Sequence, residues 1–183
     1  MKSVMNQLVD QIIQSNHETL NANKPLVDNL VSQLCHITGI ILHPAIFLDE
    51  AATKTSKGKA VSMTTAAQCA EEYLRTQVFI RGVHQAIKEQ LAQNKKVNLL
   101  YGGTGPFGLL VLPLLHRFSN QDLQITLLDI HKESLEMLNK VIQALDVSHY
   151  IKHIQCTDIL EWDVPTQEYD IIVSETMMAL LAN

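Results

Sequence analysis

Apolar residues recur at helical spacing in the first half of the chain, and this spacing predicts three helices. The predicted helices span residues 4–15, 25–35 and 62–93. Ser62 or Thr64 can cap the third helix, whose apolar stripe keeps a period near that of an α-helix. Residues 50–62 are rich in alanine, threonine, serine and lysine and lack an apolar face. They predict a polar, solvated connector.

Beyond Lys96 the pattern changes to short apolar runs that alternate with helical stretches. The predicted strands cover residues 97–101, 125–128, 151–155 and 169–173. Helices are predicted between them at residues 107–118, with a kink at Pro113, and at residues 132–145. The last link, residues 158–168, contains Pro165 and is short for a helical crossover. This alternation is typical of βαβ units, so we predict an α/β fold with a parallel sheet.

The change of pattern divides the chain into an N-terminal helical cap, residues 1–60, and an α/β domain, residues 61–183. A length of 183 residues with 46% hydrophobic content is enough for a globular core. The formal net charge is -5, which provides no field for collecting a polyphosphate backbone. We therefore expect no nucleic-acid partner.

Cysteine use and hydropathy bear on the compartment. Cys35, Cys69 and Cys156 are odd in number and widely spaced, which favours reduced thiols in a cytoplasmic protein. The first residues lack the apolar stretch of a secretory signal. The most apolar window, residues 37–48, is interrupted by polar and proline positions and is shorter than a membrane span. We expect a cytoplasmic protein without a membrane partner.

A glycine-rich turn follows the first predicted strand of the sheet. Glycines at positions 103, 105 and 108 let the backbone turn sharply and approach a ligand. Asp129 ends the next strand, where a carboxylate suits the hydroxyls of a ribose. Asp129 could alternatively cap the following helix. Turns of this kind occur in NAD-type dehydrogenases and in S-adenosylmethionine enzymes, so the pattern alone predicts a nucleoside-cofactor site without naming the nucleoside.

Three further segments resemble class I S-adenosylmethionine-dependent methyltransferases, with local similarity to the protein arginine methyltransferase group. They are the Glu72-Tyr73-Leu74-Arg75-Thr76 segment, the Thr157-Asp158-Ile159 segment, and residues 169–178, whose sequence is YDIIVSETMM. The resemblance implies that Arg75 holds the carboxylate of the cofactor, a role suited to a bidentate cation. It also implies that Asp158 faces the adenine amino group. Arg75 could instead pair with a neighbouring glutamate, and Asp158 could simply belong to a turn.

The resemblance implies a Rossmann-like methyltransferase sheet in the strand order 3-2-1-4, incomplete because the family has further strands. It implies S-adenosyl-L-methionine as the cofactor and Glu175 as the catalytic residue, which could otherwise bind cofactor or cap a helix. The cofactor-binding residues that it implies are Arg75, Gly102, Gly103, Thr104, Gly105, Asp129, Ile130, Asp158, Ile159 and Ser174.

The chain departs from the family pattern at two places. The family carries an acidic residue on the first strand, where this chain has Leu99 and Tyr101, and the family's second loop glutamate would follow Asn183. The methyl acceptor is therefore left open. Alternatives are a cofactor-binding fragment without catalysis, with homodimerisation through an exposed sheet edge, an NAD-linked oxidoreductase, and an S-adenosylmethionine enzyme that transfers aminocarboxypropyl groups or cyclises its substrate.

Other residues carry weaker signals. His149, His153 and Cys156 have a spacing that suggests a metal, but His153 and Cys156 would face opposite sides of a strand, so we expect no metal site. Met177 and Met178 could line the cofactor pocket, although methionines in such positions commonly serve as packing residues.

Overall fold

The computed structural model describes residues 2–15, 21–42, 53–55, 58–93, 96–163 and 168–176. The helices are α1 (Lys2–Gln14), α2 (Lys24–Thr38), α3 (Met63–Gln68), α4 (Tyr73–Gln93) and α5 (Lys132–Leu145). The strands are β1 (Thr53–Thr55), β2 (Gly58–Ala60), β3 (Val97–Gly102), β4 (Leu123–Asp129), β5 (Ile151–Cys156) and β6 (Ile171–Ser174). Short 3₁₀ helices cover Cys69–Glu71, Leu112–Arg117 and Ser148–Tyr150.

Four of these strands form one parallel sheet in the order β5-β4-β3-β6. Counting only the strands of this sheet along the chain, that order is 3-2-1-4. The predicted α/β fold class, a Rossmann-like sheet in the methyltransferase strand order, is therefore confirmed. In such a sheet the carboxyl ends of all strands meet at one edge, which is where ligands bind in open α/β folds. This edge is called the carboxyl edge below.

Helices cover one face of the sheet. α4 packs on β3 and β6, α5 packs on β4 and β5, and α1 and α2 pack against these helices. Leu99 and Tyr101 of β3 point toward this helical layer and are fully buried. One continuous cluster of buried side chains includes residues of α1, α2, α4, α5 and the sheet. The predicted boundary at residue 60 stays a prediction.

In the described residues, segments without regular secondary structure cover the second face of the sheet. The Ile159 side chain lies on Gly102, so that a Cβ there would overlap the Ile159 Cδ1. The Tyr169 hydroxyl donates to Thr126 Oγ1 at 3.2 Å. The Trp162 ring lies against Tyr169, with 6.0 Å between ring centroids. Leu100 is buried on this face, between the sheet and the segments that cover it.

The predicted long helix over residues 62–93 is wrong in one respect, because the chain leaves the α-helix at Cys69–Glu71. The Thr76 hydroxyl donates to the Ala70 carbonyl and an Arg75 Nη donates to the Cys69 carbonyl. Side chains thereby satisfy carbonyl groups that a continuous helix would bond to its own amides. Ser62 caps α3 as predicted, accepting from the Thr65 N–H.

The predicted kinked helix over residues 107–118 is also wrong. Gly105 and Gly108 have positive φ angles of 58° and 55°, and this part of the chain forms turns. A 3₁₀ helix, Leu112–Arg117, follows, and Pro113 lies in its first turn. The missing N–H of proline breaks no helical hydrogen bond at that position.

The polar connector is more ordered than predicted. Within the predicted loop over residues 50–62, β1 and β2 pair antiparallel. Val61, directly after this hairpin, accepts a hydrogen bond through its carbonyl from His131 Nε2 at 2.8 Å, which ties the hairpin to the start of α5. Among the described residues no helix is long and apolar enough to cross a membrane. Met177, Met178 and Pro165 lie outside the described residues.

Candidate functional site at the carboxyl edge

A cavity of about 60 Å³ opens at the carboxyl edge, above the end of β3. Its wall combines the α3–α4 junction with the glycine turn and the residue after β6. The lining residues are Val61, Ala66, Cys69, Ala70, Arg75, Thr76, Gly103, Thr104, Gly105, Pro106, Phe107, Leu109 and Glu175. The structure thus brings five of the predicted site residues, Arg75, Gly103, Thr104, Gly105 and Glu175, to one cavity.

The glycine turn is held in place by its own backbone. The N–H groups of Gly103 and Thr104 donate to the Leu128 carbonyl, at 2.9 and 3.3 Å. Gly103 has a φ of 69°, and a Cβ there would meet Thr176 Cγ2 at 2.8 Å. Because these amides already have acceptors, the turn contributes space and close backbone approach to the cavity rather than free donors.

Asp129 fixes the turn to the start of α5. Its Oδ2 accepts from the Gly105 N–H at 2.8 Å and its Oδ1 accepts from the His131 N–H at 2.9 Å. Burial raises the pKa of the Asp129 carboxyl, although these two hydrogen bonds act in the opposite direction. The N-cap residue of α5 is His131, so the alternative that Asp129 caps this helix is wrong.

Arg75 and Glu175 form an ion pair at the cavity. Arg75 Nη2 lies 2.8 Å from Glu175 Oε2, and the two side chains are 38% and 19% exposed. The Arg75 guanidinium also lies over the Phe79 ring, 5.7 Å from its centroid. The alternative that Arg75 pairs with Glu71 or Glu72 is therefore not what the structure shows.

Tyr101 completes this group from inside the sheet. Its side chain is fully buried, and its hydroxyl donates a hydrogen bond to Glu175 Oε1. Both carboxylate oxygens of Glu175 are thus engaged, one by a cation and one by a neutral donor. Burial raises the pKa of Glu175, against the lowering effect of Tyr101 and Arg75. Burial and the nearby Glu175 raise the pKa of the Tyr101 hydroxyl well above its ordinary value.

Asp158 lies beyond the end of β5 and does not line the cavity. Its Oδ1 accepts from the Leu160 N–H at 2.9 Å, so it does belong to a turn. Its Oδ2 is shielded from solvent and has no hydrogen-bond partner among the described residues. A buried carboxylate oxygen without a donor is unusual, and it marks a place where a ligand donor would be favourable.

The remaining predicted site residues lie around the cavity rather than in its wall. Ile130 and Ile159 follow the ends of β4 and β5 and are half-buried. Gly102 faces Ile159 on the second face of the sheet. Ser174 is exposed, and its hydroxyl lies 2.7 Å from Thr176 Oγ1. The described residues contain no group of three or more His, Cys, Asp or Glu side chains that could hold a metal ion.

Sequence reasoning missed the parts that Tyr101 and His131 play. In the family pattern, Tyr101 is only a residue near the strand position where the family has an acidic residue. A signal for Tyr101 was present, since a tyrosine inside an apolar strand needs a buried partner for its hydroxyl. His131 carried no comparable signal, because its partner is the backbone carbonyl of Val61, far away in sequence.

Known proteins offer few similarities to this chain. No protein-family model matches the sequence, and no curated protein matches it. A selenomethionine-substituted CurJ carbon methyltransferase of known crystal structure is similar over 94% of this chain, with 14% sequence identity and a TM-score of 0.36. The chain spans 64% of the length of that protein. A similarity at this level says nothing about the function of the chain.

Proposed function

We propose that the carboxyl edge binds S-adenosylmethionine and that the chain is an S-adenosylmethionine-dependent methyltransferase or the cofactor-binding portion of one. The observation that carries the proposal is Asp158 Oδ2, which is buried without a donor among the described residues. Leaving such an oxygen unpaired costs on the order of 1–3 kcal/mol. The amino group of an adenine would supply the missing hydrogen, provided that binding uncovers this oxygen, which is shielded from solvent in the structure.

The other residues of the edge fit the same ligand. Arg75 would bind the carboxylate of the methionine part, as a planar cation does well. Asp129 stands at the end of β4, where a ribose binds in folds of this kind. When bound, this cofactor supplies an electrophilic methyl group on a sulfonium. Glu175 would place a carboxylate beside that group and help to align an acceptor by charge.

The size of the cavity sets a condition on this proposal. Ligand pockets measure about 300–1,000 Å³, whereas the cavity here is about 60 Å³. The cavity at Arg75 is therefore too small for the whole cofactor, so it would take the methionine end while the nucleoside extends along the carboxyl edge toward Asp129 and Asp158. Arg75 would also have to exchange Glu175 for the ligand carboxylate.

The first experiment is a calorimetric titration with S-adenosylhomocysteine, the demethylated product. We expect the folded protein to bind it, and the Asp158→Asn variant to bind about tenfold more weakly, because the amide would present a donor where the adenine needs an acceptor. The matched control is Asp163→Asn, an exposed carboxylate in the same segment, which should leave the affinity unchanged.

The same titration repeated with NAD, followed by activity assays with S-adenosylmethionine, separates the alternatives. Absence of binding to the folded wild-type protein would contradict the proposal, and tighter binding of NAD would favour an oxidoreductase. Binding without any methyl transfer to small-molecule or protein acceptors would favour a fragment without catalysis. Transfer of the aminocarboxypropyl group of S-adenosylmethionine to an acceptor, with release of methylthioadenosine, would indicate the related S-adenosylmethionine chemistry.

A further inference from the structure

We propose that Tyr101 is a positioning residue that holds Glu175 at the cavity independently of Arg75. The part of this inference that concerns a ligand rests on the proposed function, whereas the contact between Tyr101 and Glu175 does not. Three observations carry it: the complete burial of Tyr101, its hydroxyl bonded to one oxygen of Glu175, and the separate bond of Arg75 to the other oxygen.

The two bonds to Glu175 come from elements of different kinds. Tyr101 belongs to the central strand β3, whose backbone also accepts from the Glu175 N–H through Gly102 at 3.0 Å. Arg75 lies on α4, and its side chain is 38% exposed. The strand contact is therefore the fixed one, and the arginine contact is the one that an incoming ligand can replace.

This arrangement makes Glu175 a stand-in for the ligand carboxylate. Without ligand, Glu175 neutralises Arg75. When the carboxylate of a ligand binds Arg75, Glu175 loses that partner, and the Tyr101 hydroxyl keeps its carboxylate at the cavity wall. Without Tyr101, the Glu175 carboxylate would depend on Arg75 alone for its position.

The protonation state of Glu175 can be followed by measuring how ligand affinity depends on pH. The titratable groups that face it are Arg75 on α4, Tyr101 on β3, Asp129 at the end of β4, and Cys69 in the 3₁₀ segment. Protonation of Glu175 frees Arg75 for an external carboxylate, so affinity for S-adenosylhomocysteine should rise as pH falls through the pKa of Glu175. Tyr101 stabilises the charged form, so its removal should move this step to higher pH.

The test is the Tyr101→Phe variant, titrated with S-adenosylhomocysteine by calorimetry from pH 4 to pH 8. We expect the midpoint of the affinity change to rise by about one pH unit, the value of one hydrogen bond to a charged group. Tyr150→Phe is the matched control, because it removes another buried hydroxyl, bonded to the Phe118 carbonyl away from the cavity. Glu175→Gln should abolish the step.

A purely structural role for Tyr101 would lower stability or affinity equally at every pH, and an unmoved midpoint in Tyr101→Phe would overturn the proposal. If the wild-type protein binds no S-adenosylhomocysteine, the proposed function fails, and a second measurement still decides on Tyr101. That measurement is chemical unfolding without ligand, across the same pH range. It compares the wild-type protein, Tyr101→Phe, Glu175→Gln and the double variant that carries both substitutions.

The direction in which stability changes with pH in this unfolding measurement follows from the raised pKa of Glu175. A carboxyl whose pKa is higher in the folded state favours folding while it is protonated, and the contribution is lost as pH rises from the unfolded to the folded pKa. The wild-type protein should therefore lose stability relative to Glu175→Gln over this window. Tyr101→Phe should widen the window toward higher pH, and an unchanged window would overturn the proposal.

Discussion

At the scale of single residues, the two aspartates of the carboxyl edge differ in their partners. Asp129 has both oxygens bonded to backbone amides, at Gly105 and His131. Asp158 has one oxygen bonded and one without a partner in the described residues. The sequence could indicate both positions, because Asp129 ends one predicted strand and Asp158 comes soon after the next. It could not indicate this difference, which depends on where the glycine turn and the start of α5 lie in space.

This difference predicts that substitutions at Asp129 and Asp158 affect stability to different extents. Asp129→Ala should lower the free energy of unfolding by about 2–4 kcal/mol, because it leaves two backbone amides without a charged acceptor. Urea unfolding measures this, with Asp158→Asn as the comparison expected to change stability little. Equal midpoints for Asp129→Ala and wild type would contradict the structural role given to Asp129. Weaker ligand binding in Asp129→Ala is informative only after its folded fraction is known.

At the scale of elements, apolar periodicity predicted the strands of the sheet and α5 closely. It failed in two places, one where side chains bond the carbonyl groups at the α3–α4 junction and one where glycines with positive φ angles turn the chain. The stripe of residues 62–93 continues across the break at Cys69–Glu71, because a single tighter turn hardly changes which face is apolar. The turns within residues 107–111 were predicted as helix, because an apolar run that is buried throughout has no polar positions whose spacing would distinguish a helix from turns.

Two glycine substitutions test this account of local structure. Gly108→Ala should destabilise the protein by about 2 kcal/mol or more, because φ is 55° and the new Cβ would meet Leu138 and Leu112 atoms at 2.7–2.8 Å. Gly82→Ala, at an exposed position inside α4 with no atom within 4 Å of the new Cβ, should stabilise it by about 0.5–1 kcal/mol. Thermal unfolding of both variants gives the comparison, and destabilisation by Gly82→Ala would count against the assigned helix.

At the scale of the whole molecule, the sheet has an edge at β6. This strand pairs with β3, and the described residues supply no strand on its other side. Ile172 of this strand is 58% exposed. An open edge with an exposed apolar side chain is prone to pair with another chain, so homodimerisation through this edge stays our prediction.

The prediction can be checked by light scattering of the 183-residue chain at increasing concentration. We expect the mass of the wild-type chain to rise toward that of a dimer and Ile172→Lys to remain a monomer, because a lysine on an edge strand opposes pairing. Gln155→Lys adds the same charge to an exposed position of β5, at the opposite edge, and should not prevent association. A wild-type chain that is monomeric throughout would contradict the prediction.

The chain contains one tryptophan, and its place gives the protein a built-in optical reporter. Trp162 lies in the segment that begins at Asp158 and packs against Tyr169, with 6.0 Å between the rings. Because the sequence has no second tryptophan, emission at tryptophan wavelengths reports the surroundings of this one side chain on the second face of the sheet. A ligand that engages Asp158 should change this emission, whereas one confined to the cavity beside Arg75 should leave it unaltered.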